Sequence, residues 1–180
     1  AVAKAAGIRV EAVQADLFDQ CGDIGVAHPL LLLGAVLERA QAGDTIVHVP
    51  KERVVFAGDV IFRECTPMGW NGSYEKWLKI LDLIIWLDPE VIVPGHGPVC
   101  GIEGAMEMKA YLEYVREESR SCFGQGLSAL DASRKIDFGP YGAWRSPARL
   151  YMNVERAYRE FRNEATDAPW DNAKVFDAIQ

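Results

Sequence analysis

The sequence predicts a layered α/β domain in which helices cover a small sheet. Short β-branched runs at 46–49, 54–56 and 91–93 have the composition of buried strands of the parallel type. Amphipathic helical patterns alternate with these runs, as they do in layered α/β domains. The chain has 180 residues, of which 49% are hydrophobic, so we expect residues 1–180 to form a single domain.

The first 48 residues are predicted to form a helix, a strand and a second helix. Residues 1–7 are rich in alanine and favour a helix, and residues 8–13 alternate like a strand. A loop with two glycines follows at 16–26. The second helix, at 30–42, begins with four leucines and ends at Gly43. Because those leucines leave no polar side, this helix is expected to be well buried.

A third helix is predicted between the strand that ends at Asp59 and the strand at 91–93. Ser73 is a suitable N-cap, and the Asp88-Pro89 pair ends the pattern. Between the strand and this helix lies a loop at 63–73. The apolar residues recur at helical spacing and are Trp77, Ile80, Leu81, Ile84, Ile85 and Leu87.

Three further helical patterns and a tail follow the last strand. The helices are predicted at 102–120, at 127–136 and from Ser146-Pro147 onwards. In the first of them the residues predicted to face the body of the domain are Met106, Ala110, Leu112, Tyr114 and Val115. The tail at 163–180 is predicted to dock on the domain through Trp170, Val175, Phe176 and Ile179.

Charge and cysteine usage narrow the classes of function. The formal net charge is −7 and the basic residues are dispersed, which disfavours a general nucleic-acid-binding surface. The four cysteines, Cys21, Cys65, Cys100 and Cys122, contain no Cys-x-x-Cys pair, so free thiols in a reducing compartment are expected. The sequence shows neither a charged-then-apolar start nor an apolar run of about 18 residues, so we expect neither a signal peptide nor a membrane span. We therefore expect a cytoplasmic protein that does not span a membrane.

The candidate functional residues follow two strands. Asp59 lies in a Gly-Asp turn, and His96 lies in the turn Pro94-Gly95-His96-Gly97. The carboxyl ends of strands are where α/β proteins place their chemistry, and short turns hold metal ligands more firmly than flexible arms do. For Asp59 the competing interpretation is a carboxylate that satisfies turn amides. His96, between two glycines, is interpreted as a ligand rather than as a core histidine.

Other polar residues are interpreted as structural. His28 precedes Pro29 and is expected to be a loop or helix-entry residue, and Asp44 a turn residue at the start of a strand. Asp23 lies in a stretch with a glycine on either side, so a turn is its main interpretation, with an acyl-chain loop as the alternative. None of these residues is predicted to bind metal.

Four segments together resemble the C-terminal half of the metallo-β-lactamase superfamily of metal-dependent hydrolases. They are residues 43–50, 54–59, 77–88 and 91–98, and the resemblance extends over about 43–160. It implies half of an αββα fold, in which Asp59 bridges two metal ions and His96 binds the second. It also implies that Met68 and Trp70 border the substrate cleft. The expected reaction is attack by a metal-activated water on an ester, thioester, lactone or amide of a small-molecule substrate.

The ligand set that this resemblance requires is incomplete. The superfamily's His-x-His-x-Asp-His motif is absent, and the chain contains only His28, His48 and His96. His48 matches a position that is not a ligand. Since catalytic zinc normally has three protein ligands, zinc, iron or manganese is expected to bind weakly or not at all to this chain alone. Half a fold would also leave a sheet face uncovered, so we expect a homo-oligomer or a complementing chain.

The first 47 residues have a different resemblance. Residues 13–23 and 28–33 resemble the C-terminal region of thiolase-superfamily acyl-CoA condensing enzymes. The part of such an enzyme that carries the catalytic cysteine is absent, so Cys21 is not expected to be a nucleophile. Two alternatives to a hydrolase therefore remain open. One is a non-catalytic or chimeric α/β protein for binding or assembly, and the other is an acyl-CoA-associated module.

Overall fold

A three-stranded sheet supports the candidate site. The computed structural model describes residues 46–70, 72–165 and 168–179. The strands are β1 (Val47–Val49), β2 (Val54–Phe62) and β3 (Val91–His96), and they lie in the order β1-β2-β3. Strand β2 is parallel to β3 but antiparallel to β1. The expectation of a parallel β1 is wrong because the turn at 50–53 is short, whereas a parallel connection needs a dozen or more residues.

Five helices complete the described part of the chain and confirm the mixed α/β class. They are α1 (Tyr74–Trp86), α2 (Ile102–Gly124), α3 (Ala129–Lys135), α4 (Leu150–Phe161) and α5 (Asn172–Ile179). Short 3₁₀ helices occur at Gly139–Tyr141 and Pro147–Arg149. Helix α1 connects the parallel strands β2 and β3 and packs against α2. Val55 of β2 and Ile92 of β3 are fully buried on the covered side of the sheet.

The predicted start and buried face of helix α1 are confirmed. The Ser73 hydroxyl accepts a hydrogen bond from the Lys76 amide at 3.2 Å and so caps the helix. Trp77, Leu81 and Ile84 are buried at helical spacing. The Trp77 indole also donates a hydrogen bond to the Val60 carbonyl at 2.8 Å, which ties α1 to β2.

The predicted inner face of α2 is partly wrong. Leu112 and Val115 are buried as predicted, whereas Met106 and Ala110 are exposed, and Met108 is buried in their place. Successive helical residues are about 100° apart, so positions 106 and 110 each lie about 200° from position 108. Because the residues at positions 106 and 110 are both apolar, the sequence pattern favoured a side of the helix that is in fact exposed.

The tail docks on the domain, as predicted. Val175 of α5 is buried, although Phe176 is exposed. The Trp170 indole donates a hydrogen bond to the Trp70 carbonyl at 2.5 Å. The Arg159 guanidinium of α4 lies 4.3 Å from the centre of the Trp170 ring, a cation–π contact.

Several predictions fall on residues 1–45, which lie outside the described part of the chain. These are the helices at 1–7 and 30–42, the strand at 8–13, and the roles assigned to Cys21, Asp23, His28 and Asp44. Cys65, Cys100 and Cys122, which are described, are free thiols. Among the described helices, none combines the length and apolarity needed to cross a membrane.

Candidate metal centre

Asp59 and His96 are brought together by neighbouring parallel strands. Gly58 of β2 pairs with Pro94 of β3, and Phe62 pairs with His96. Strand β2 therefore advances four residues while β3 advances two, which is an irregularity of the bulge type. Gly58 has a φ of +50°, a conformation that suits glycine. This local distortion places Asp59 beside the end of β3. The prediction that the strand ends in a turn at Gly58-Asp59 is wrong, because β2 continues through Asp59 to Phe62.

The distance between the two side chains fits a shared metal ion. The Asp59 Oδ1 atom lies 3.4 Å from the His96 Nε2 atom, longer than a normal hydrogen bond of about 2.7–3.2 Å. Two ligand atoms of a tetrahedral zinc ion, with bonds of about 2.0–2.2 Å, lie roughly 3.3 Å apart. Both side chains are nearly half exposed, at 48% and 42%, so solvent and ions can reach them.

Gly95 permits this close approach. A Cβ atom at position 95 would lie 2.6 Å from the Gly58 carbonyl carbon and 2.7 Å from its oxygen. It would also clash with the Asp59 Oδ1 atom itself. Only a residue without a side chain leaves room for the two strands to approach each other at this point. The Gly-rich turn thus has a steric role as well as a conformational one.

The His96 ring is held by a side chain that sequence reasoning missed. Phe62, which is buried, stacks on the imidazole with ring centres 4.6 Å apart and planes 11° from parallel. Stacking against a buried ring restricts rotation of the imidazole, which favours a fixed direction for Nε2. Phe62 lies three residues after Asp59, and its contact with His96 could be identified only from the strand register.

The described residues bring two candidate ligands together at this centre. Within 46–70, 72–165 and 168–179, no group of three His, Cys, Asp or Glu side chains is placed to hold a metal ion. Cys65 is buried, and burial raises the pKa of its thiol although Arg145 and Arg149 lower it. Without a metal ion, the neutral thiol is therefore favoured. His48 lies on β1, paired with Val55, and its assignment as a non-ligand stays a prediction.

Two hydrogen bonds join the loop that carries Met68 and Trp70 to α4 and to the 3₁₀ helix before it. The buried Asn153 amide donates to the Pro67 carbonyl at 3.0 Å, and the Arg149 guanidinium donates to the Thr66 carbonyl at 3.3 Å. Trp70 packs edge-to-face on Trp170. Met68 and Trp70 are partly buried against the hydrophobic core, so packing accounts for part of their burial. Their role as walls of a substrate cleft stays a prediction.

Comparisons with known proteins bear on this site. A family model described as the metallo-beta-lactamase superfamily matches residues 37–96, which include both Asp59 and His96. No curated protein matches the chain. Among solved structures, it is similar to a metallo-beta-lactamase family protein from Thermus thermophilus, with 18% identity and a TM-score of 0.49. That match covers 66% of this chain and 40% of the other, so the matched region spans less than half of that protein.

The family match supports the resemblance only over residues 37–96, which are one third of the chain. It begins at residue 37, within the segment interpreted as thiolase-like, and it ends at His96. The thiolase resemblance of the first 47 residues gains no support from these comparisons.

Proposed function

We propose that this chain carries part of the active site of a metal-dependent hydrolase of the metallo-β-lactamase type. The observation that supports this proposal is the 3.4 Å separation of Asp59 Oδ1 and His96 Nε2 on the adjoining strands β2 and β3. When bound there, a zinc, iron or manganese ion would lower the pKa of a water to about 7 and so supply a nucleophile for an ester, thioester, lactone or amide carbonyl.

The residues of the chain have separate tasks in this proposal. Asp59 offers a carboxylate oxygen, which prefers a cation as its partner, from strand β2, whose main chain is held by pairing with β3. His96 binds through Nε2, which must be unprotonated to act as a ligand. Phe62 limits the rotation of that ring.

The same observations indicate that the centre is incomplete. Two protein ligands are fewer than the three that catalytic zinc normally has, and the described residues supply no third. The chain alone should bind metal weakly and hydrolyse slowly. A complementing chain or a second copy would supply the remaining ligands. The absence of a third ligand from the described part also favours the alternative function, a binding or assembly protein that retains the α/β framework.

Calorimetric titration with zinc tests the proposal. Weak binding by the unaltered chain should be lost in Asp59→Ala and His96→Ala, because each removes half of the described ligand set. Asp177→Ala and His48→Ala are matched controls, since Asp177 is exposed on α5 and His48 lies on β1. Both controls should bind zinc as the unaltered chain does.

Assays with generic ester, thioester and lactone substrates separate the two functions. We expect slow turnover by the metal-loaded chain, lost in both site variants. Fast turnover would show that the site is complete and would contradict the proposed deficit. Equal background rates in all variants, together with no zinc binding, would favour the binding or assembly protein.

A further inference from the structure

Arg63 joins the turn that carries His96 to the rest of the domain. Its main-chain N–H donates a hydrogen bond to the His96 carbonyl at 2.8 Å. A Cβ atom at Gly97 would lie 2.8 Å from the Arg63 carbonyl carbon and would clash with its oxygen. The two main chains therefore pass in direct contact, and Gly97, with a φ of +94°, allows the turn between them.

The side chain of Arg63 continues from this contact to helix α2. Its guanidinium Nη1 forms an ion pair with the Glu107 Oε2 atom. A Cβ atom at Gly104 would lie 3.6 Å from Arg63 Cδ, so the stem of the side chain lies over the first turn of α2. The pair is partly shielded from water, with side chains 20% and 36% exposed, and shielded charges attract each other more strongly than exposed ones.

We propose that Arg63 is a positioning residue for His96, and that Glu107 fixes Arg63. The main chain of Arg63 holds the His96 carbonyl, while its side chain is fixed to α2, a long helix with a buried face. The strand end and the helix together then set the distance from His96 Nε2 to Asp59 Oδ1. The consequence for metal binding rests on the function proposed above.

The required precision explains why such a contact matters. Binding geometries must be kept to within about 0.5 Å, and loss of a group that orients a metal ligand typically lowers metal affinity about 10–100-fold. Since neither Arg63 nor Glu107 is a proposed ligand, their removal should weaken binding without abolishing it. This outcome differs from that of Asp59→Ala or His96→Ala.

Zinc titrations of the full chain test the pair. We expect Arg63→Ala and Glu107→Gln each to weaken zinc binding about tenfold, and the double variant to be no weaker than either, because the two side chains act as one unit. Exchange of the charges in Arg63→Glu/Glu107→Arg should restore part of the affinity. Lys79→Ala, which breaks the exposed pair with Glu75 on α1, is the control and should bind zinc normally. Unaltered affinity in Arg63→Ala and Glu107→Gln would overturn the inference.

A metal-free measurement separates this inference from the proposed function. The Phe62 ring, 4.6 Å from the His96 ring, should shift the imidazole proton resonances, and Phe62→Leu gives the unshifted reference. Arg63→Ala and Glu107→Gln should reduce that shift. If the unaltered chain binds no zinc, the proposed function fails but the ring shift still decides on positioning. A shift of the imidazole resonances that is as large in both variants as in the unaltered chain would contradict the positioning role of Arg63. If Arg63→Ala does not fold, Glu107→Gln alone provides the test.

Discussion

At the scale of single residues, the candidate centre depends on which side chains are absent as much as on those present. Gly95 faces the Asp59 carboxylate and the Gly58 main chain, and no side chain fits between them. Gly124, at the end of α2, has open space around the position of a Cβ atom. A methyl group added at Gly95 would therefore clash, whereas one added at Gly124 would not.

Alanine substitution at these glycines should have opposite effects. Gly95→Ala should lower the free energy of unfolding by about 1–3 kcal/mol, because overpacking forces neighbouring atoms to move. It should also weaken zinc binding by pushing Asp59 away from His96. Gly124→Ala should leave stability unchanged or raise it by about 0.5–1 kcal/mol, since alanine favours a helix. Urea denaturation measures both, and equal stability of the two variants would contradict the packing argument.

Sequence reasoning identified the two proposed ligands but not the residues that hold them. Asp59 and His96 each stand beside a glycine after an apolar run, a local pattern that can be read directly, although the structure extends β2 and β3 through both residues. Phe62 and Arg63 act on His96 through a strand register with an irregularity, and Asn153 acts on a loop 86 residues away in sequence. Such contacts depend on tertiary structure, and a single sequence carries no local signal for them.

At the scale of elements, periodicity predicted the positions of helices better than it predicted their buried faces or the directions of strands. Helix α1 has one strongly apolar side, and its start and face were predicted correctly. Helix α2 has methionines at both 106 and 108, so its apolar pattern is compatible with two faces. The direction of β1 depends on the chain reversal at 50–53, which composition alone does not reveal.

The docked helix α5 gives a prediction at this scale. Val175 is 2% exposed and its neighbour Phe176 is 59% exposed. Val175→Ala should therefore lower the free energy of unfolding by about 1–3 kcal/mol through lost burial. Phe176→Ala should change it by less than about 0.5 kcal/mol, as is usual for exposed positions. Denaturation curves measure the free energy of unfolding of both variants. A larger loss of stability in Phe176→Ala than in Val175→Ala would mean that the tail docks through its other face.

At the scale of the whole molecule, the sheet presents a second face that the described helices do not bury. Opposite residues on adjacent strands share a face, and the apolar rows on this one are Val47, Phe56 and Val93, followed by Val49, Val54 and Val91. Phe56 is 46% exposed in the described part of the chain, and the other five are only half-buried. The described part of the chain thus leaves these six apolar residues partly exposed on one face of the sheet.

This face leads to the prediction of a dimer or higher oligomer of the full chain. Two copies that pair through it would bury both Phe56 rings, since a two-fold interface brings the same patch of each copy together. Light scattering at micromolar concentration should give at least twice the mass of one chain. Phe56→Lys should shift the population towards monomer by placing two positive charges in the interface, whereas Phe176→Lys, on α5, should not. A monomeric unaltered chain would mean that this face is covered within one copy, and an oligomer that persists in Phe56→Lys would assign the contact to another surface.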